Sequence, residues 1–460
     1  MPIELKEIGQ RIEQFFKESI EKVAKETKFV QRASKLTGTK FLQALVFANL
    51  EQKSVTLSSI SQSCLDLGVE ISAQGVDERM NEQSVAFMKR MFSQAIKHFQ
   101  MHEPLAIRLL QQFTAVYLVD SSQISLPASM AEQFPGSGGN SSVASLKIQL
   151  VFDYLNGHLE QVEFCNGCEP DQSYRGYHAL IDEGVLLLMD LGYFVLDSLK
   201  VIEERKGYFL SRFLSQTALF TTAGERLDLA ALLAAQTENC CEIEVLIGSR
   251  QQHHIPTRLI MLRLSQEAAD RQRQKAKDNA QRHGRSLSQD YLKLLDWALF
   301  ITNIPQPMLH TRHVASLYRI RWQIELVFKM CKSFFALDSV AALRCHRLMT
   351  ELYARLIGVV LTYFLIAPVR LPDPLQQNRE ISPTKVRLIF QRFARQLTLT
   401  LYHSAPLLPV LDDFFRHVFH AGFKQKRRKK PNAIHSLALI SACYDWPLDP
   451  AYSLFDSLSA

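Results

Sequence analysis

The sequence predicts an α/β protein in which a β-rich interior is carried between helical ends. Three observations predict it. Residues 1 to about 105 repeat apolar side chains at helical spacing and hold few glycines. Short apolar runs of strand length then recur between Ala115 and Asn303. From residue 310 onward the helical period returns.

The chain has 460 residues, of which 47% are apolar and 22% charged, a globular balance that excludes wholesale disorder. Its length suggests about three domains. The opening MPIELKEIGQRIEQFFKES is charged and amphipathic and lacks the apolar core of a secretory signal. The most apolar stretch, Leu356 to Val369, contains Pro368 and is shorter than the roughly 18 residues of a membrane span. It reads as a buried helix, and the expectation is a cytoplasmic protein with no membrane segment. Cys165 and Cys168 form an isolated C-x-x-C without the second ligand pair of a structural zinc site, so the cysteines read as reduced thiols.

In the helical first part, Leu57 to Leu67, a turn at Gly68 and a second helix capped by Ser72 make a helix-turn-helix-like pair or an ordinary helical hairpin. The scarcity of bases on the second helix favours the hairpin. In residues 106–212, AVYLVD (Ala115 to Asp120) reads as a buried strand. KIQLVFDYL and HLEQVEF flank Asn156-Gly157 as a β-hairpin. A helix, the strand VLLLMD (Val185 to Asp190) and the strand GYFLSRF (Gly207 to Phe213) follow. Residues 213–292 read as a β-rich insertion, with EIEVLIGS and RLIMLRL as strands and the basic run 268–285 as helix. WALFITN (Trp297 to Asn303) returns to strand, and 310–345 reads as one long helix. Residues 293–372 thus resume the core. Pro372, Pro374 and Pro383 mark a linker, and 373–460 is a helical region with the basic tail KQKRRKK.

The net charge of +7 is modest, but the cations cluster between Arg271 and Arg285 and between Lys424 and Lys430. Such clusters fit a polyanionic partner or a solvated surface. The chemistry concentrates in YRIRWQIELVFKMCK. At 100° per residue, Tyr318, Arg321, Glu325 and Lys332 fall within a stripe of roughly 60°. Ile320, Ile324, Val327, Met330, Cys331 and Phe334 take the opposite, buried side. Asp120 and Asp190 each close an apolar strand, so neighbouring strands would bring two carboxylates together. Such a pair needs a cation, and hard oxygen ligands suit Mg²⁺ or Mn²⁺.

At these residues the sequence resembles a known family. The pattern Y-x2-R-x3-E-x6-K, here Tyr318, Arg321, Glu325 and Lys332, resembles the signature of the DDE transposases of bacterial insertion sequences, in the insertion-sequence four family. DSSQISLP from Asp120, FPGSGGN with KIQLVFDY, DLGYF with GYFLSRF, and WALFITNIP resemble its other blocks, so the likeness runs from about residue 110 to 345. Ser121-Ser122 stand where the family often has Gly or Thr.

The resemblance implies an RNase H-like catalytic core interrupted by a β-rich insertion between Asp190 and Glu325, and a DNA-end-binding domain in residues 1–105. It implies that Asp120, Asp190 and Glu325 are catalytic and bind two Mg²⁺ (or Mn²⁺) ions. The implied activity is cut-and-paste transposition, with cleavage of transposon ends through a DNA hairpin and strand transfer into target DNA. The implied partners are transposon-end DNA, target DNA and a second copy of the chain in a synaptic homodimer on the nucleoid. Tyr318, Arg321 and Lys332 would grip phosphates, with Arg212 a further DNA contact. Trp297 would stack an extruded base, or else is a core strand aromatic. Asp153 reads as flanking the site. Gly136, Gly138 and Gly139 lack the following Lys-Ser/Thr of a nucleotide-binding loop and read as a hairpin connection. Two competing classes are a non-cleaving DNA-binding protein derived from such an enzyme, which the intact triad weighs against, and a metal-dependent nuclease without strand transfer.

Overall fold

A computed structural model describes residues 5–52, 54–101, 104–138, 142–249, 254–334, 344–370, 380–424, 436–438 and 440. The chain opens with helices α1 (Leu5–Lys17), α2 (Ile20–Glu26), α3 (Gly38–Glu51), α4 (Leu57–Asp66), α5 (Ala73–Arg79) and α6 (Glu82–His98). Then come β1 (Ala115–Ser125), β2 (Ser145–Asp153), β3 (His158–Asn166), β4 (Val185–Met189), α7 (Leu196–Glu204) and β5 (Tyr208–Arg212). The insertion supplies β6 (Ala218–Phe220), β7 (Arg226–Leu227), α8 (Leu229–Ala234), β8 (Cys240–Gly248), β9 (Ile255–Arg263), α9 (Gln266–Arg282) and α10 (Gln289–Leu294). It is followed by β10 (Trp297–Thr302), α11 (Val314–Tyr318), α12 (Gln323–Phe334), α13 (Cys345–Arg370), α14 (Pro383–Tyr402) and α15 (Leu408–Ala421). The chain forms two compact units.

The first unit draws on Met1–Ala106, Ser121–Glu169 and Gln323–Lys426. Its core is α13, longer than the apolar stretch suggests: it has 26 residues and carries Pro368 in its last turn. From Thr350 to Val369 every residue is buried, because α3, α6, α14 and β3 all pack against it. A helix enclosed on all sides is apolar all round. By length and composition α13 could cross a membrane, yet the whole apolar window is buried inside this unit. Its buried polar groups are paired: Arg355 Nε donates to Asn49 Oδ1 at 2.9 Å, Arg347 Nε to Glu351 Oε1 at 2.8 Å, and the Ser84 and Thr350 hydroxyls meet at 2.8 Å. Aromatic pairs Phe152–Tyr363 and Phe164–Tyr353 seat the β2–β3 hairpin on it.

The hairpin turns at Asn156-Gly157 as expected. Asp153 directs its carboxylate to Asn156, accepting from the backbone N at 3.2 Å and from Nδ2 at 2.7 Å, so it serves this turn. Gly157 sits at φ +82°, and a Cβ there would lie 1.4 Å from Arg370 Nη1. Gly157→Ala is therefore expected to cost about 1–3 kcal/mol, read as a lower urea midpoint; an unchanged midpoint would contradict this lock between turn and α13.

The expected helical pair is present. Thr56 and Ser59 form a capping box on α4, Gly68 turns the chain at φ +70°, and Ser72 Oγ accepts from Gly75 N at 3.1 Å to start α5. Pro383 is not part of a linker but opens α14, capped by Ser382; its fixed φ suits the first helical position. Pro372, Pro374, Gly139 and the basic tail beyond Lys424 lie outside the described residues.

The second unit includes Ile107–Asp120 and Pro170–Trp322. β1 is shared, with its last residues in the first unit. There the strand order is β3-β2-β1; in the second unit it is β1-β4-β5-β10-β9-β8-β6-β7. β4 runs parallel to β1 and to β5, while β10 is antiparallel to both β5 and β9. An antiparallel β2–β3 hairpin in the first unit, and in the second parallel β1, β4 and β5 with the α7 crossover, are the elements of an RNase H-like fold. The insertion's strands continue this sheet through β10.

Two expectations need correction. The helix expected before β4 is replaced by 3₁₀ turns at Asp171–Ser173 and Gly176–Leu180. The helix lies instead after Asp190, as α7, where parallel β4 and β5 require a crossover. The long helix expected over 310–345 is broken into a 3₁₀ turn (Thr311–His313), α11, a second 3₁₀ turn (Arg319–Trp322) and α12, with 335–343 outside the described residues.

Candidate active site

The apolar runs carry no chemistry: Val116, Leu118 and Val119 in β1 and Leu186 to Met189 in β4 are fully buried. Polarity begins at Asp190, just past the end of β4, and at Asp120, which does not close its strand as expected but lies midway along β1, because the strand runs on to Ser125. The parallel register pairs Val119 with Met189, so Asp120 and Asp190 are the next residues on neighbouring strands. Asp190 also starts the 3₁₀ turn Leu191–Tyr193, its carbonyl accepting from Tyr193 N at 3.0 Å.

Each aspartate meets one residue of the signature segment. Tyr318 Oη donates to Asp190 Oδ1 at 3.3 Å. Arg321 Nη1 donates to Asp120 Oδ2 at 3.2 Å, with the two side chains only 12% and 20% exposed. The 3₁₀ turn explains the pairing. At about three residues per turn it eclipses positions i and i+3, which aligns Arg321 over Tyr318, the guanidinium carbon 6.0 Å from the ring. The ring in turn packs edge-on against Phe300 of β10 at 5.2 Å.

Burial, with Asp190 adding to it, pushes the Tyr318 hydroxyl up to about 12, while Arg321 and Arg212 pull it down. Tyr318 is therefore a neutral donor across the physiological range. Its stabilising, protonated form is fully present below the ordinary tyrosine value near 10 and is lost only as pH rises through about 12. Arg212, exposed at the end of β5 and paired in register with Phe300, adds positive potential to this group. Tyr318→Phe removes one hydrogen bond to a charged group, worth about 1.5–3 kcal/mol. The expectation is a loss of about tenfold or more in strand-nicking rate, by the same factor at every pH between about 6 and 9. A factor that varies across that window would mean the hydroxyl titrates there.

Glu325 and Lys332 lie on α12 in the first unit, both half-buried, in its first and last turns. The buried side expected for the signature segment is present: Ile320, Ile324, Val327, Met330 and Cys331 are each less than 5% exposed. The Phe334 side chain lies outside the described residues. Trp297 opens β10 and is buried, with the Arg263 guanidinium 4.7 Å above its ring as a cation–π cover. The exposed aromatic of the segment is Trp322, at 58%, which sequence reasoning missed. Its signal was there: Trp322 falls on none of the buried positions of the helical pattern. Burial pushes the Cys165 thiol up to about 11, which keeps it protonated, and Cys168 is exposed.

Among the described residues no three His, Cys, Asp or Glu side chains stand together as a ready-made metal site. The donor chemistry nevertheless suits a hard divalent cation. Two carboxylates at one level of neighbouring strands repel unless a cation offsets them, and here the Arg321 guanidinium supplies that charge to Asp120.

Residues 111–361 match the family described as Transposase DDE domain. The chain is 28% identical to the transposase of insertion sequence element IS1151 from Clostridium perfringens, over 95% of this chain and 97% of that one. It is 25% identical to the transposase of IS231F from Bacillus thuringiensis subsp. israelensis, over 92% and 93%. Among solved structures it is similar to the piggyBac transposase in a synaptic complex with hairpin DNA, with a TM-score of 0.44, 11% identity, and coverage of 96% and 86%.

Proposed function

The chain belongs to the transposase DDE domain family, and on that premise we propose that it is a cut-and-paste transposase that nicks its transposon ends, releases them through a DNA hairpin and joins them to target DNA. The observation that carries this reading is the pairing of Asp120 and Asp190 at one level of two parallel strands, each held by a signature residue, Arg321 and Tyr318.

Asp120, Asp190 and Glu325 would hold two Mg²⁺ or Mn²⁺ ions, whose chemistry when bound is to activate the attacking oxygen and stabilise the leaving one. The chain's own groups do the rest. Tyr318 and Arg321 fix the two carboxylates before DNA arrives, so little reorganisation remains for the reaction step. Arg321, Arg212 and Lys332 offset phosphate charge at the cleaved end. A base-stacking role for Trp297 requires Arg263 to move off its ring, whereas Trp322 offers an exposed face without such movement. Two copies of the chain would pair the two ends, and the protein would act as a soluble DNA-binding enzyme on the nucleoid.

Linear DNA carrying the element's own ends, incubated with protein and Mg²⁺, is expected to show nicks and then hairpins on a denaturing gel. Nicks that never progress to hairpins or joined products would reduce the reading to a nuclease. Lys332→Ala is expected to weaken end binding and lower the slope of log affinity against log salt by about one. An unchanged slope would remove its phosphate role.

A further inference from the structure

A buried guanidinium in the insertion ties down the loop that launches the signature segment. Arg258 lies in β9, 7% exposed, paired in register with Thr302 at the end of β10. Its Nη1 donates to two carbonyls of the following loop, Ile304 O at 2.8 Å and Leu309 O at 3.0 Å. Its Nη2 pairs with Glu242 of β8. The same Glu242 oxygen accepts from Thr311 Oγ1 at 2.6 Å, and Thr311 begins the 3₁₀ turn that leads into α11. One Arg–Glu pair thus holds the loop near its start, near its end and at the first residue of the helical segment. Ile304 and Leu309 are fully buried beside it. Asn303, at the loop's start, is separately fixed, accepting from Phe209 N and donating to Gly207 O, both at 2.8 Å.

We propose that Arg258, with Glu242, is a positioning residue for Tyr318 and Arg321, so that the β-rich insertion acts as the mechanical anchor of the catalytic segment. The inference rests on the transposase reading above. The physical reason is leverage. Tyr318 lies two helical turns beyond Thr311, and its hydroxyl reaches Asp190 at 3.3 Å, near the outer limit of a hydrogen bond. A small shift at the helix start would break it. Arg258 itself touches neither aspartate among its described contacts, so it acts through the segment.

The test uses the full chain with Arg258→Lys, which keeps the charge but lacks the planar fork that spans two carbonyls and a carboxylate. Single-turnover nicking at saturating end DNA is expected to fall about tenfold to a hundredfold, the scale of a small misplacement of catalytic groups, with end-DNA affinity within about twofold. Combined with Tyr318→Phe, it is expected to cost clearly less than the product of the two single losses, since both act on the Tyr318–Asp190 hydrogen bond. Amide hydrogen exchange over Asn303 to Tyr318 is expected to rise while that of β4 stays unchanged. Thr311→Val, which removes only the Glu242 link, provides a milder version should Arg258→Lys fold poorly. Fully additive losses, or affinity falling in step with rate, would overturn the proposal. So would unchanged exchange over Asn303 to Tyr318, whether or not the wild-type protein nicks DNA. A wild type that never nicks, with exchange changed as expected, would instead overturn the transposase reading and leave the anchor standing.

Discussion

Glu325→Gln is expected to abolish Mg²⁺-dependent nicking of transposon ends while leaving end binding within about threefold of wild type. Glutamine keeps the size and helical preference of glutamate, and Ile324 and Val327, both buried, hold the first turn of α12 in place. What is lost is one negative charge and the hard oxygen donor a divalent ion requires. If that ion supplies several kcal/mol to the transition state, the rate falls by about a thousandfold or more, at about 1.4 kcal/mol per tenfold. Binding depends on the cations and should survive, because removing an anion from a DNA-facing site does not weaken phosphate contacts. A variant that nicks at the wild-type rate would remove Glu325 from the site.

Arg321→Ala carries the second large effect, in both stability and rate. It leaves the largely buried Asp120 carboxylate without its 3.2 Å partner, beside Asp190. Breaking such a pair by removing one member typically costs about 3–5 kcal/mol when fully buried, and about 2–4 here given residual exposure. The melting temperature should therefore fall without divalent ions. Added Mg²⁺ should then raise it more in the variant than in the wild type, because an ion that binds only the folded state stabilises it, and the pair of carboxylates has lost the Arg321 charge. Nicking should stay depressed by about a hundredfold even with Mg²⁺, since the aspartates lose their fixed orientation. Equal Mg²⁺ responses in the two proteins would mean that Arg321 and the metal do not share Asp120.

Much of this site was legible because its signals are local. An apolar run ending in Asp marks a buried strand with a polar exit, which β4 follows; in β1 the apolar run also stops at Asp120, but the strand itself runs on to Ser125. Asn156-Gly157 fixes a hairpin through the positive φ that Gly157 supplies. The buried side of α12 follows from 3.6-residue spacing. The misses are tertiary. Arg319 to Trp322 contain no Gly or Pro, so nothing local announces the 3₁₀ turn that aligns Arg321 with Tyr318. Pro368 looks like a stop, but it sits in the last turn of α13, where the helix has nearly ended. The helix between β4 and β5 is dictated by parallel pairing, which spacing along one strand does not encode. The same holds for β10, whose pairing with both β5 and β9 joins the insertion to the core sheet, and for Arg258, an ordinary strand residue until its three partners are seen.

The most direct test of the central claim, that Asp120, Asp190 and Glu325 act as one divalent-metal site for strand cleavage, is a change of metal preference. Asp190→Cys replaces a hard oxygen donor with a soft sulfur, which Mn²⁺ tolerates better than Mg²⁺. Nicking by this variant should be undetectable in Mg²⁺ and partly restored in Mn²⁺, while Asp153→Cys, altering the turn residue, shows no such switch. Equal activity of Asp190→Cys in the two metals, at any level above background, would contradict the account.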